Sequence, residues 1–195
     1  MSTKRAIFLD RDGTLIREVA YLSRLEEVKI LEQAASAVSR INRAGILAVV
    51  ITNQSGVARG LLSEERLREI NRSIARSFAR RGACLDAFYY CPHHPGAGLV
   101  AYRQSCRCRK PQPGLLLEAA QELGIDLRRS CMVGDRLVDV QAGRSVGCTS
   151  VLVKTGLGMQ ELANWNGAPD RSGIRPDFVA TDLLEAVQWM EEMIF

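Results

Sequence analysis

No apolar run in this chain approaches the roughly 20 residues that a membrane-spanning helix needs. The opening stretch, MSTKRAIFLDRDGT, reaches a charged aspartate after only four apolar residues, which is too short for a secretory leader. A cytoplasmic protein with no membrane partner is the expectation. Blocks of like charge are missing too: none reaches five residues, and the net charge is only +4. That surplus slightly favours anionic small molecules and does not imply nucleic acid. Internal repeats and low-complexity tracts are absent. So are a Walker phosphate loop and the G-x-S-x-G elbow of serine hydrolases. DRDGT does not open an EF-hand, because counting from Asp10 puts Leu15 where the calcium loop needs glycine and Tyr21 where it needs glutamate.

What remains is an ordinary globular composition. The chain has 195 residues, 47% hydrophobic and 25% charged, which suits one domain spanning 1–195 with a well-filled core. Of six cysteines, Cys84, Cys131 and Cys148 are scattered among apolar neighbours like small core residues. The other three crowd near a histidine. Reduced thiols are therefore expected in place of a disulfide framework.

Short apolar runs at 6–9, 46–51, 87–91, 131–134, 149–153 and 177–180 read as strands, separated by helical patterns. Helices are expected over 31–44, closed by Gly45; over 63–81, with Ser63 as N-cap and Gly82 as stop; and over 113–123, with proline first and Gly124 last. The segment 154–176, with Gly156, Gly158, Gly167, Pro169 and Gly173, lacks periodicity and reads as a surface excursion. The alternation predicts an α/β fold, a doubly wound, mostly parallel, Rossmann-like sheet with helices on both faces. Such sheets bind ligands beyond the carboxyl ends of their strands.

Those ends carry the polar residues. DRDGT follows the first run, TNQSG the second and GDRLVD the fourth, while RK precedes Pro111. On the expected sheet, Asp10, Asp12, Thr52, Lys110 and Asp135 meet at one rim. Either aspartate alone is as well explained by a turn or a helix cap. Together, several carboxylates with a lysine and a hydroxyl suit magnesium-assisted phosphoryl transfer, in which oxygen ligands hold the cation and fixed donors cradle the phosphate.

In order and spacing, FLDRDGT, TNQSG, Lys110 and GDRLVD resemble the four motifs of the haloacid dehalogenase superfamily of phosphatases, across residues 8–139. The resemblance implies Asp10 as nucleophile and Asp12 as acid and base, with Thr52 and Lys110 stabilising the phosphoryl group. Magnesium would be held by the Asp10 carboxylate, the Asp12 main-chain carbonyl and Asp135, with Asp139 behind them. Asp12, crowded by other carboxylates, is expected to titrate high enough to serve as acid and base.

The stretch CPHHPGAGLVAYRQSCRCRKP adds a second metal candidate. Cys91-x-His93 and Cys106-x-Cys108 offer the thiolates and imidazole of a closed zinc tetrahedron, although chemistry alone leaves His93 and His94 open. Reduced surface cysteines beside a solvated histidine are the plainer reading. Two branches of the superfamily carry such a loop, and this one is more similar to the heptose bisphosphate phosphatases than to the histidinol-phosphate phosphatases, which have a shorter insert. The resemblance selects Cys91, His93, Cys106 and Cys108 for zinc. It implies removal of a C7 phosphate from a small sugar bisphosphate by a monomer supplying activated heptose for lipopolysaccharide. Glu18, Tyr21, Asn53, Gln54, Ser55, Arg109 and Arg136 would bind the substrate, and Arg59 is equally well an ordinary surface charge. Arg109, beside the phosphate lysine, is placed to hold a second phosphate bidentately. A zinc-stabilised nucleic-acid module is the opposing reading, disfavoured because the basic spots lack stacking aromatics.

Overall fold

A computed structural model describes residues 3–96, 98–165 and 175–193. Six strands form one sheet: β1 (Ala6–Leu9), β2 (Leu47–Asn53), β3 (Ala87–Cys91), β4 (Cys131–Gly134), β5 (Thr149–Val153) and β6 (Phe178–Ala180). Every pairing is parallel, in the order β3-β2-β1-β4-β5-β6. The expected α/β architecture is present, and all six expected strands occur within two residues of their proposed ends.

The strands are mostly apolar because helices cover both faces. With a side-chain period of two, Ile7 and Leu9 enter one core, which is shared with α1 (Ala34–Arg43), α2 (Glu64–Ala79) and α6 (Leu183–Met193). Ala6 and Phe8 enter the other, packed against α3 (Gly114–Leu123) and the start of the following loop, with Ala142 from α4 (Leu137–Ser145). Among the described residues no helix is long and apolar enough to cross a membrane.

Helix ends follow local chemistry. The Ser63 hydroxyl accepts from the Arg66 backbone N–H at 3.1 Å, so α2 starts where the cap predicts. Gly124 ends α3 at φ 69°. The first helix is shorter than expected. Leu31 donates its backbone N–H to Leu15 O, Ile30 bridges Ile16, and Gln33 at φ 66° precedes Ala34, so residues 31–33 are committed to the turn that enters the helix.

Two expectations need correction. The segment 154–176 contains a helix, α5 (Gly158–Asn164), whose pattern is obscured by the glycine that lets it approach β5; a Cβ at Gly158 would collide with the Val153 carbonyl. Gly167, Pro169 and Gly173 lie outside the described residues. Cys84, read as a core residue, is exposed at the turn after α2, where its backbone pairs with the Asn42 amide; Cys131 and Cys148 are buried as expected.

The sheet order places the site. From β1 the chain winds outward to β2 and β3, then returns to add β4 on the other side of β1, and the reversal leaves a crevice above β1 and β4. Leu9 is level with both Val50 and Val133, so Asp10, Thr52 and Asp135, one or two residues further on, lie at nearly the same height.

Candidate active site

A cleft of about 340 Å³ opens over that crevice. Asp10, Asp12, Thr52, Lys110 and Asp135 all line it, with Asp139 beside them, as the strand-end argument expected. Asp10 leaves β1 with its backbone N–H on Val133 O at 2.9 Å, which ties its position to β4. The Lys110 ammonium, buried, sits 2.8 Å from Asp10 Oδ1 and 2.6 Å from Asp139 Oδ1, and also donates to Ile51 O. Burial alone would lower the lysine pKa, but the two carboxylates outweigh it and hold the ammonium charged. Asp139 is therefore more than a residue behind the others. Its second oxygen accepts from the Arg136 backbone N–H and caps α4.

Asp135 is the most strained charge in the cleft. It is 1% exposed; burial first, then the Asp10 and Asp139 charges, push it up to about 8. Oδ2 accepts from the Leu157 backbone N–H at 2.7 Å, while Oδ1 is buried without a partner. Gly13 and Gly156, both at positive φ, press against this carboxylate, leaving no room for a Cβ. Oxygens of Asp10, Asp135 and Asp139 gather within 4.8 Å. A buried, unpartnered carboxylate oxygen beside a second carboxylate is what a hard divalent cation requires. The residues fit magnesium.

Asp12 is clasped by a cation. The Arg11 guanidinium donates to Oδ2 from Nε at 3.1 Å and from Nη2 at 2.8 Å, and to Oδ1 at 3.0 Å. Gln54 Nε2 adds a bond at 2.7 Å, and that same amide nitrogen donates to Thr52 Oγ1. Arg11 is fully buried and its Nη1 donates to Asn71 Oδ1 on α2. Neither Arg11 nor Asn71 stands out in the sequence, because an arginine between two aspartates reads as a turn residue until the helix facing it is known. Glu18, also in the cleft, is pushed up to about 7 by burial, then by the Asp12 and Asp10 charges.

Around the mouth lie Tyr21, Ser55, Arg59, His94, Arg109 and Arg136. Tyr21, at φ 55°, carries the Arg59 guanidinium 5.3 Å over its ring, which assigns Arg59 to the cleft. Arg109 is anchored by one bond from Nη1 to His93 O, and Arg136 leans on Glu161. Asn53 lines the cleft and also braces the Lys110 backbone, accepting from N at 3.0 Å and donating to O at 3.1 Å, so it sets the lysine in place.

The cysteine loop folds onto the same wall. Cys91, His93, Cys106 and Cys108 bring their sulfurs and Nδ1 within 4.8 Å of one another, with near contacts between 3.1 and 3.8 Å. A tetrahedron with Zn–S bonds of ~2.3 Å has edges of roughly 3.7 Å, so this donor set fits a zinc-type ion. His94 turns away to accept from Gly96 N and faces the cleft. The loop is stitched to the β2–α2 turn by Ala58 N on Pro92 O and Leu99 N on Ala58 O, and to α2 by Tyr90 and Tyr102, both donating to Glu64.

Comparison with known proteins places this geometry. A HAD-hyrolase-like family model matches residues 107–186. The D-glycero-beta-D-manno-heptose-1,7-bisphosphate 7-phosphatase of Photorhabdus laumondii is 44% identical over 153 residues, covering 77% of this chain and 81% of that protein. The D-glycero-D-manno-heptose-1,7-bisphosphate 7-phosphatase of Thermosynechococcus vestitus is 40% identical over 189 residues, 95% of this chain and 94% of that one. A crystal structure of the D,D-heptose 1,7-bisphosphate phosphatase of B. bronchiseptica, complexed with magnesium and phosphate, superposes with a TM-score of 0.82 at 35% identity, covering 96% of this chain and 98% of that chain. The chain therefore belongs to the haloacid dehalogenase-like phosphatases, enzymes that hydrolyse phosphoric monoesters, and within them to the family of heptose-1,7-bisphosphate 7-phosphatases.

Proposed function

We propose that this chain removes the C7 phosphate of D-glycero-D-manno-heptose 1,7-bisphosphate through an aspartyl phosphate on Asp10. The observation that carries the reading is a cleft with one reactive floor and a cationic rim. The Asp10 carboxylate lies between the Lys110 ammonium and the unpartnered oxygen of Asp135, while Arg59, Arg109 and Arg136 line the mouth. An ester with a phosphate at each end suits both, one phosphate meeting the floor where a divalent cation would offset the carboxylates and the other meeting the rim.

Asp10 attacks phosphorus, the P–O bond to C7 breaks, and Asp12 delivers its proton to the departing sugar oxygen. Water then attacks the aspartyl phosphate, Asp12 takes its proton, and the Asp10–phosphorus bond breaks to release orthophosphate. Lys110 and the Thr52 hydroxyl stabilise the phosphoryl oxygens throughout. The Asp10 carboxylate, the Asp12 main-chain carbonyl and Asp135 would hold magnesium, which when bound supplies charge to offset that developing on phosphorus. Cys91, His93, Cys106 and Cys108 would hold zinc in a closed set with no position for water, a structural role that pins the loop carrying Arg109 and Lys110. Glu18, Tyr21, Asn53, Gln54, Ser55, Arg109 and Arg136 contact the sugar and its second phosphate, and Asn53 also braces the Lys110 backbone. The enzyme acts in the cytoplasm as a monomer with no nucleic-acid or membrane partner, and its product feeds nucleotide-activated heptose synthesis for the lipopolysaccharide core.

The test is phosphate release in magnesium from a panel of both heptose bisphosphate anomers, histidinol phosphate, fructose bisphosphate and a 3′-phosphorylated oligonucleotide. The heptose substrates should dominate in kcat/KM, with loss from C7 alone. Preference for histidinol phosphate or the oligonucleotide would overturn the assignment.

A further inference from the structure

Among the described residues Arg11 is the largest fully buried side chain, and it lies between two residues at the centre of the cleft. A buried guanidinium is costly unless every direction it points in is answered. Here both answers are specific. Its fork meets the Asp12 carboxylate through three short contacts, and its far nitrogen meets Asn71 Oδ1 at 3.1 Å. Asn71 is itself only 5% exposed, on the core face of α2 beside Ile70 and Ile74. The Asp12 side chain, at 17% exposure, is open only toward the cleft. Gln54 grips it from one side and Arg11 from below. A planar fork engaging both oxygens fixes the plane of a carboxylate as well as its place, which a single-point donor cannot do.

We propose that Arg11, backed by Asn71, is a positioning residue that sets the orientation of the Asp12 carboxylate for its work on the leaving oxygen and on water. The inference rests on the Asp10–Asp12 scheme above. The alternative is that the Arg11–Asn71 contact merely ties β1 to α2.

The two differ in how loss depends on the leaving group. An alkyl phosphate such as the heptose bisphosphate needs a well-aimed acid in the first step, whereas p-nitrophenolate departs without one. Arg11→Met, Asn71→Ala and, as reference, Asp12→Asn are compared with the parent on both esters by rapid quench, in excess magnesium. Formation of the phosphorylated enzyme from heptose bisphosphate should fall about 100-fold in Arg11→Met, the scale of a misaimed catalytic group. From p-nitrophenyl phosphate it should fall far less, leaving a p-nitrophenol burst followed by slow turnover. Asn71→Ala should show the same split at about tenfold, and Arg11→Lys, charged but without the fork, should recover only part of the loss. Asn71→Ala keeps Arg11 and decides the question if Arg11→Met does not fold. Equal losses on both esters in Asn71→Ala and Arg11→Met, or no change in their ratio, would overturn the inference. If Asp12→Asn splits the esters and these variants do not, only this inference falls. If Asp12→Asn shows no split, the role of Asp12 falls and takes Arg11 with it.

Discussion

Gly13→Ala tests whether the Asp135 carboxylate is held by close backbone contact. Gly13 has φ 76°, and a Cβ there would stand 2.0 Å from Asp135 Oδ2 and 3.0 Å from Gly156 Cα. Gly82 is the matched control, with φ 71° and nothing within 4 Å of its would-be Cβ. Both substitutions carry the cost of a left-handed alanine, about 1–2 kcal/mol. Gly13→Ala must also push Asp135 off the Leu157 N–H, leaving buried polar groups unpaired at a cost of about 1–3 kcal/mol. The expected losses are about 1–2 kcal/mol for Gly82→Ala and about 2–5 kcal/mol for Gly13→Ala, within the stability of an ordinary domain. Urea unfolding of both variants, with and without magnesium, gives the comparison. Gly82→Ala should keep its magnesium response and turnover. Gly13→Ala should lose the stabilisation by magnesium and at least about 100-fold in kcat. Equal destabilisation of the two variants, with magnesium response intact in both, would refute the reasoning.

The metal-free enzyme should lose stability as pH rises. Burial and like charge raise the folded-state pKa of Asp135 to about 8, so this term is fully present below the ordinary value of 3.8 and is lost as pH climbs through about 8. Urea midpoints in chelator at several pH values should fall across that window and flatten in Asp135→Asn; a parent slope equal to that of Asp135→Asn would contradict this. Cys106→Ser or Cys108→Ser should release zinc, loosen residues 92–110 and raise KM while magnesium still binds, checked by metal content beside kinetics. A zinc-free variant with parental KM would disprove that role. Arg109→Ala should raise KM for the bisphosphate and leave it nearly unchanged for a monophosphate, because only the former has a distal anion to lose. Equal effects on both would remove Arg109 from the distal site.

The sequence was most informative where chemistry and strand ends coincide. Asp10, Thr52 and Asp135 each follow a short apolar run, and adjacent parallel strands bring those positions to one rim. Residue chemistry alone could not separate His93 from His94, since both follow the same strand; the resemblance chose His93, and His93 is the one that lies among the cysteines. The environment of Asp12 could not be read, because its partner Arg11 depends on Asn71, 60 positions away on a helix whose packing face is set by the sheet order. The brace between Asn53 and the Lys110 backbone was hidden for the same reason, since Lys110 arrives from the far side of the cysteine loop. Helix α5 escaped notice because Gly158, which weakens a helical pattern, is the residue its packing against β5 demands.

The central claim is transfer of the C7 phosphoryl group to Asp10. Enzyme mixed with heptose bisphosphate labelled at C7, quenched in acid within a single turnover and digested, should carry the label on the peptide containing Asp10, with more accumulating in Asp12→Asn and none in Asp10→Asn. Complete turnover with no labelled peptide at any time, or label on a residue other than Asp10, would contradict the account.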